Sequence, residues 1–85
     1  MQLGHNIVDI GGGGGYFSLR FADIVGGRGQ VYAVDTNQDF LEFIKYQANE
    51  RGFYNVTIIL ATKGKVTLPD RIEYMRIFKR YSGTR

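Results

Sequence analysis

At 85 residues the chain holds one small domain and one core. Hydrophobic content of 44% and charged content of 22% are ordinary globular values, and no apolar run approaches the ~20 residues a membrane span needs. With no cysteine and a single histidine, His5, the chain has no means for disulfides, thiolate chemistry or a His/Cys zinc site. The opening MQLGHN lacks the basic-then-apolar pattern of a signal peptide, so a cytoplasmic location is the expectation. The net charge of +3 is unevenly placed: residues 1–60 carry four basic side chains against six acidic ones, a net −2, and residues 61–85 carry seven against two, a net +5.

Residues 6–10, NIVDI, are apolar, β-branched and stopped by glycine, and so predict a buried strand. After five glycines, Phe17, Phe21, Ile24 and Val25 recur at helical spacing, which predicts a helix over 16–25 with Phe17 in the core. Gly26 and Gly27 end it. QVYAVD, residues 30–35, is a second short apolar strand ending in an acid. Thr36 or Asn37 then caps a helix over 38–51 whose face carries Phe40, Leu41, Ile44 and Ala48, and Gly52 closes it. NVTIIL, residues 55–60, predicts a third strand. The order β-α-β-α-β with short connections implies a parallel sheet covered by helices, its strands in the order 3-2-1 under right-handed crossovers. Past Leu60 the pattern turns polar and basic. Asp70, with Glu73 three residues on, resembles a capping box, and Ile72, Met75, Ile77, Phe78 and Tyr81 predict a helix from Asp70 to a stop at Gly83. The sequence shows no fourth strand, which leaves NIVDI as an apolar sheet edge expected to pair with another chain.

Five consecutive glycines are entropically costly. A linker would have polar flanks, whereas here a strand runs in and a helix runs out, a unit that offers backbone N–H groups and a helix dipole to a ligand with no Cβ in the way. The dinucleotide fingerprint G-x-G-x-x-G fails, because Tyr16 or Phe17 stands where its last glycine belongs. The phosphate loop G-x-x-x-x-G-K-[ST] has no lysine in register. D-x-G-x-G-x-G does fit, as Asp9, Gly11, Gly13 and Gly15, and Asp35 ends the second strand 20 residues after Gly15. A carboxylate there accepts both hydroxyls of a ribose.

In these two segments, VDIGGGGGYFS and VYAVDTNQDFLEFIK, the chain resembles the class I S-adenosylmethionine-dependent methyltransferases over roughly residues 3–62. The resemblance implies a partial Rossmann-like three-layer α/β sandwich and an S-adenosylmethionine cofactor. It implies that Gly11, Gly13 and Gly15 let the methionine part lie against the backbone and that Asp9 faces its amino group, directly or through water. Asp35 would bind the ribose hydroxyls, Thr36 and Asn37 would flank the adenine, and Tyr16 would act as a lid. Asp9 could instead hold the glycine turn by hydrogen bonds, since an acid inside an apolar strand must be satisfied somehow. Asp35 could serve only as a cap at the approach to the next helix. The implied reaction is in-line attack of a substrate nucleophile on the cofactor's methyl group, with a small molecule as the expected acceptor.

Two departures from the family pattern stand out. Members place an acid just past the third strand, near the adenine amino group; this chain has Ala61-Thr62-Lys63-Gly64. The family's fourth strand, which lines the methyl-transfer site, has no counterpart in this reading, and LPDRIEYMRIFKRYSGTR resembles the helix that follows it. The expectation is therefore a truncated or internally deleted relative. Residues 1–62 would be the cofactor-binding half and residues 63–85 a basic loop and helix left from the second, with weak turnover alone. No acceptor-side base can be named. His5 reads as a solvated loop residue, and the basic 71–80 stretch as a solvated face rather than a nucleic-acid surface. The rival readings are a nicotinamide-dinucleotide domain and a catalytically inactive binding module using its basic end on an acidic partner.

Overall fold

The β-branched runs form strands and the 3.6-period runs form helices, in the order β1 (Asn6–Ile10), α1 (Tyr16–Val25), β2 (Gln30–Asp35), α2 (Gln38–Glu50), β3 (Val56–Leu60) and β4 (Tyr74–Ile77). The computed structural model describes residues 1–11, 16–62 and 66–77. All pairings are parallel, and the sheet order is β3-β2-β1-β4.

Helices α1 and α2 share a core with the sheet. Ile7, Val31, Ala33 and Val56 on the strands pack with Leu19, Phe21, Ala22 and Val25 of α1 and with Leu41, Ile44 and Ala48 of α2. Phe40 packs against this cluster from its rim. Val8 and Val34 alternate with the helix-facing residues along their strands and are buried outside that cluster, which places them on the opposite face. In the described part of the connection from β3 to β4, Val66, Leu68, Pro69 and Ile72 are half-buried.

Both helix ends show local chemistry. The Asn37 side chain accepts from the Phe40 N–H at 3.1 Å, so Asn37 rather than Thr36 is the N-cap of α2. At the end of α1, Asn55 donates its side-chain amide to the carbonyls of Ala22 (3.0 Å) and Gly26 (2.8 Å), tying α1 to the approach of β3. Gly29 lies where a Cβ would stand 2.5 Å from Val25 Cβ and 2.7 Å from the His5 carbonyl oxygen.

The segment 70–77 departs from the expected helix. Tyr74–Ile77 is a strand, in parallel register with Ile7–Ile10. The first strand is therefore central, with β2 on one side and β4 on the other. The expected 3-2-1 order holds and is extended by β4, whereas the expectations of an exposed first strand and of a missing fourth strand are overturned by this pairing, and the ground for self-association through β1 goes with them. Phe78, Tyr81 and Gly83, cited for the helix, lie outside the described residues. The capping-box acid does meet a backbone N–H, but on another strand. Glu73 Oε1 accepts from the Asn6 N–H, Oε2 accepts from Arg71 Nε, and the Glu73 N–H donates to the Asn6 carbonyl at 2.9 Å. A second expectation fails within α1. Its buried line runs through Ser18, Ala22 and Val25. Phe17 and Ile24 sit about 100° or more round the helix from that line and remain 43% and 45% exposed.

Two outcomes follow from this packing. Gly29→Ala should lower stability by about 1–3 kcal/mol in thermal or denaturant unfolding, because the methyl group meets Val25 Cβ and backbone rather than a movable side-chain tip. The Asn6 N–H bond, helped by Arg71 and more weakly by His5 and opposed by partial desolvation, holds the Glu73 carboxyl below its ordinary range. A carboxylate depressed in the folded state contributes stability that is present above the ordinary glutamate range and is lost as pH falls through the lowered value. Wild type should thus exceed Glu73→Gln in stability at neutral pH, and the gap should close on acidification in a pH series of unfolding curves.

Candidate functional site

In a parallel sheet the crevice for a ligand opens at the carboxyl ends of the strands, where the chain leaves the first strand toward opposite sides. That switch point is β1, flanked by β2 and β4. Gly11 leaves β1 there with φ +68, a conformation glycine adopts freely, and its N–H donates to the Val34 carbonyl at 2.8 Å. The turn is thus anchored to the second strand at its first residue. Gly13 and Gly15 lie outside the described residues. Tyr16 is the first residue of α1, and its side chain is likewise outside the description.

Asp35 ends β2 at the same edge and is half-buried. Its Oδ1 accepts the Asn37 N–H at 3.0 Å, and its Oδ2 has no partner among the described residues. The strand thus ends in a local turn that fixes the carboxylate and leaves one oxygen for a ligand. Thr36 and Asn37 are exposed beside it. The Ala61 N–H donates to the Asp35 carbonyl at 2.9 Å, bringing the end of β3 to the same rim. Thr62 is exposed there; Lys63 and Gly64 lie outside the described residues.

The Asp9 side chain is enclosed by the protein. It is 0% exposed and both carboxylate oxygens are engaged. Oδ2 accepts from Ser18 Oγ at 2.8 Å, and Oδ1 accepts from Arg76 Nη1 at 3.2 Å. Arg76 stands directly across the β1–β4 pairing from Asp9, and its guanidinium lies 3.9 Å from the centroid of the Phe17 ring. Phe17 packs on Phe21 at 6.1 Å, and Phe21 meets Tyr74 edge-on at 6.0 Å. Sequence reasoning missed Arg76, Ser18 and this use of Phe17. The available signal was Asp9 itself, an acid within an apolar strand that requires a counter-charge.

Some residues stand apart from this site. His5 precedes β1 at the opposite edge of the sheet, where its Nδ1 accepts from the Gln2 N–H at 3.1 Å. Among the described residues no group of His, Asp or Glu could hold a metal, and no helix is long and apolar enough to cross a membrane.

Residues 2–76 match the family model described as a methyltransferase domain. The chain is 34% identical over 74 residues to the protein-L-isoaspartate O-methyltransferase of Methanosarcina mazei, covering 87% of this chain and 30% of that protein. It is 32% identical over 76 residues to the enzyme of the same name from Aeropyrum pernix, covering 89% and 29%. The chain therefore spans about a third or less of the length of these relatives. Among solved structures, a SAM dependent methyltransferase from Aquifex aeolicus superposes with a TM-score of 0.78 at 27% identity, over 87% of this chain and 40% of that one. With the sheet order, the glycine turn at the switch point and the match over residues 2–76, the chain belongs to the class I S-adenosylmethionine-dependent methyltransferase family.

Proposed function

We propose that this chain is the cofactor-binding part of an S-adenosylmethionine-dependent methyltransferase that esterifies a carboxylate of a protein. The observation that carries the cofactor reading is the pairing at one rim of a left-handed glycine, Gly11, with a carboxylate, Asp35, on the adjacent strand. The two groups match the two ends of the ligand. Backbone without side chains receives the amino-acid end, and a fixed carboxylate with one oxygen open receives a ribose diol. Thr36 and Asn37 flank the adenine, Gly13 and Gly15 extend the cradle, and Tyr16 closes over it. Asp9 acts from beneath the turn. In this reading residues 1–62 are the cofactor-binding half, and residues 63–85 begin the second half with the strand that bounds the crevice.

When bound, S-adenosylmethionine supplies a methyl carbon activated by its sulfonium. The residues of this chain hold and orient that group and shield it from water, which is where rate enhancement in such transfers arises. For the acceptor, the relatives from Methanosarcina mazei and Aeropyrum pernix are named for protein L-isoaspartate, which supports a protein carboxylate in place of the small molecule expected from sequence. The net +5 of residues 61–85 favours approach of such an anionic acceptor.

Calorimetry with S-adenosylhomocysteine and with a nicotinamide dinucleotide tests the cofactor assignment. The former should bind and the latter should not, and Asp35→Ala should weaken binding by about 1–3 kcal/mol through loss of charge-assisted hydrogen bonds. Tighter binding of the dinucleotide would reverse the assignment. Incubation with methyl-labelled cofactor and matched isoaspartyl and aspartyl peptides addresses the acceptor. Label should appear as a base-labile ester on the isoaspartyl peptide. Its absence with S-adenosylhomocysteine binding intact would remove the acceptor claim alone.

A further inference from the structure

Asp9 and Arg76 are 67 residues apart in sequence and adjacent in the sheet. Asp9 has no exposure, whereas the Arg76 side chain keeps 23%. A pair that costs this much desolvation adds little net stability over apolar residues of equal volume, so its use has to be sought in geometry. The geometry is specific. Two residues of the first turn of α1 are each held by one member of the pair: Ser18 by Asp9 through a hydroxyl bond of 2.8 Å, and Phe17 by Arg76 through a ring face at 3.9 Å. The start of α1 is thereby tied to β4. The end of β1 is tied to β2 by the Gly11 N–H on the Val34 carbonyl. The end of β1 and the start of α1 are thus each held by a neighbouring strand.

We infer that Arg76 is a positioning residue for the amino-acid end of the cofactor, acting through Asp9 and the first turn of α1 on the glycine turn. The inference rests on the S-adenosylmethionine reading above. It assigns to the fourth strand a part in cofactor binding without contact with the cofactor. It also separates the two halves of the ligand. The ribose and adenine are held by Asp35 and its neighbours on β2, which the Arg76 cluster does not touch; only the methionine portion depends on the turn.

That separation supplies the test. S-Adenosylhomocysteine carries the amino-acid end, and 5′-methylthioadenosine lacks it. In the full chain, with folding checked by circular dichroism, Arg76→Met should weaken S-adenosylhomocysteine by about tenfold or more, as expected for a misplaced site. Affinity for 5′-methylthioadenosine should stay unchanged. Arg76→Lys, which keeps the charge, should restore part of the loss. Ser18→Ala removes one link without stranding a charge, and should show the same ligand-selective pattern at smaller size even if Arg76→Met does not fold. Equal losses for both ligands, or none for either, in a folded variant would overturn the inference. A wild-type chain that binds neither ligand would defeat the functional reading. Positioning would then be judged by amide hydrogen exchange at Phe21 and Ala22, which bond back to the first turn. Faster exchange in the variants, with α2 unchanged, would uphold the coupling of Arg76 to the first turn of α1 alone, and equal rates would overturn that too.

Discussion

A carboxylate with no contact with water, in the middle of the central strand, is the constraint from which the rest of this site is arranged. Asp9 cannot stay charged there without partners, and each partner it recruits comes from a different element. Ser18 brings the first turn of α1, and Arg76 brings β4. The aromatic contacts Phe17–Phe21 and Phe21–Tyr74 fill the same wedge between α1 and the strands, so the polar and apolar parts of the junction reinforce one another.

The first sixty residues are easy to read because local signals and tertiary demands agree there. Each strand is a short apolar run, each helix has one apolar face, and Asn37 has the side chain an N-cap needs. The rim position of the candidate residues Gly11 and Asp35 was legible for a related reason: each closes a short apolar run that reads as a strand. The misreadings have one physical origin. In 72–77, Arg76 occupies an inward position of a strand, which breaks the apolar alternation that would identify β4. Met75 and Ile77, on the outward positions, stay exposed, and with Ile72 they supply the apolar content that reads as a helix. A charge turned inward is intelligible only when its partner 67 residues away is known. Phe17 was placed in the core for the converse reason, since an aromatic ring at helical spacing does not announce that its face will carry a guanidinium.

The fourth strand also changes what the molecule can be. With β4 in place, β1 has neighbours on both sides, and the crevice above it has two walls rather than one. In the proposed binding mode the ribose would meet the charged Asp35, and the adenine would lie beside Thr36 and Asn37, which are exposed and uncharged.

The long sequence separation of Asp9 and Arg76 bears on how the chain reaches its fold. Strands β1, β2 and β3 are joined by consecutive short crossovers and can assemble from contacts near in sequence, whereas β4 must close a long loop before it gains anything. During synthesis the arginine is made long after the aspartate, so a nascent chain ending before residue 76 contains the whole β-α-β-α-β unit and a carboxylate with no counter-ion. Such a chain can bury Asp9 only at a high electrostatic cost, and the packing of α1 onto β1 has to wait. The ion pair therefore completes the surroundings of the first strand only once the fourth has joined the sheet.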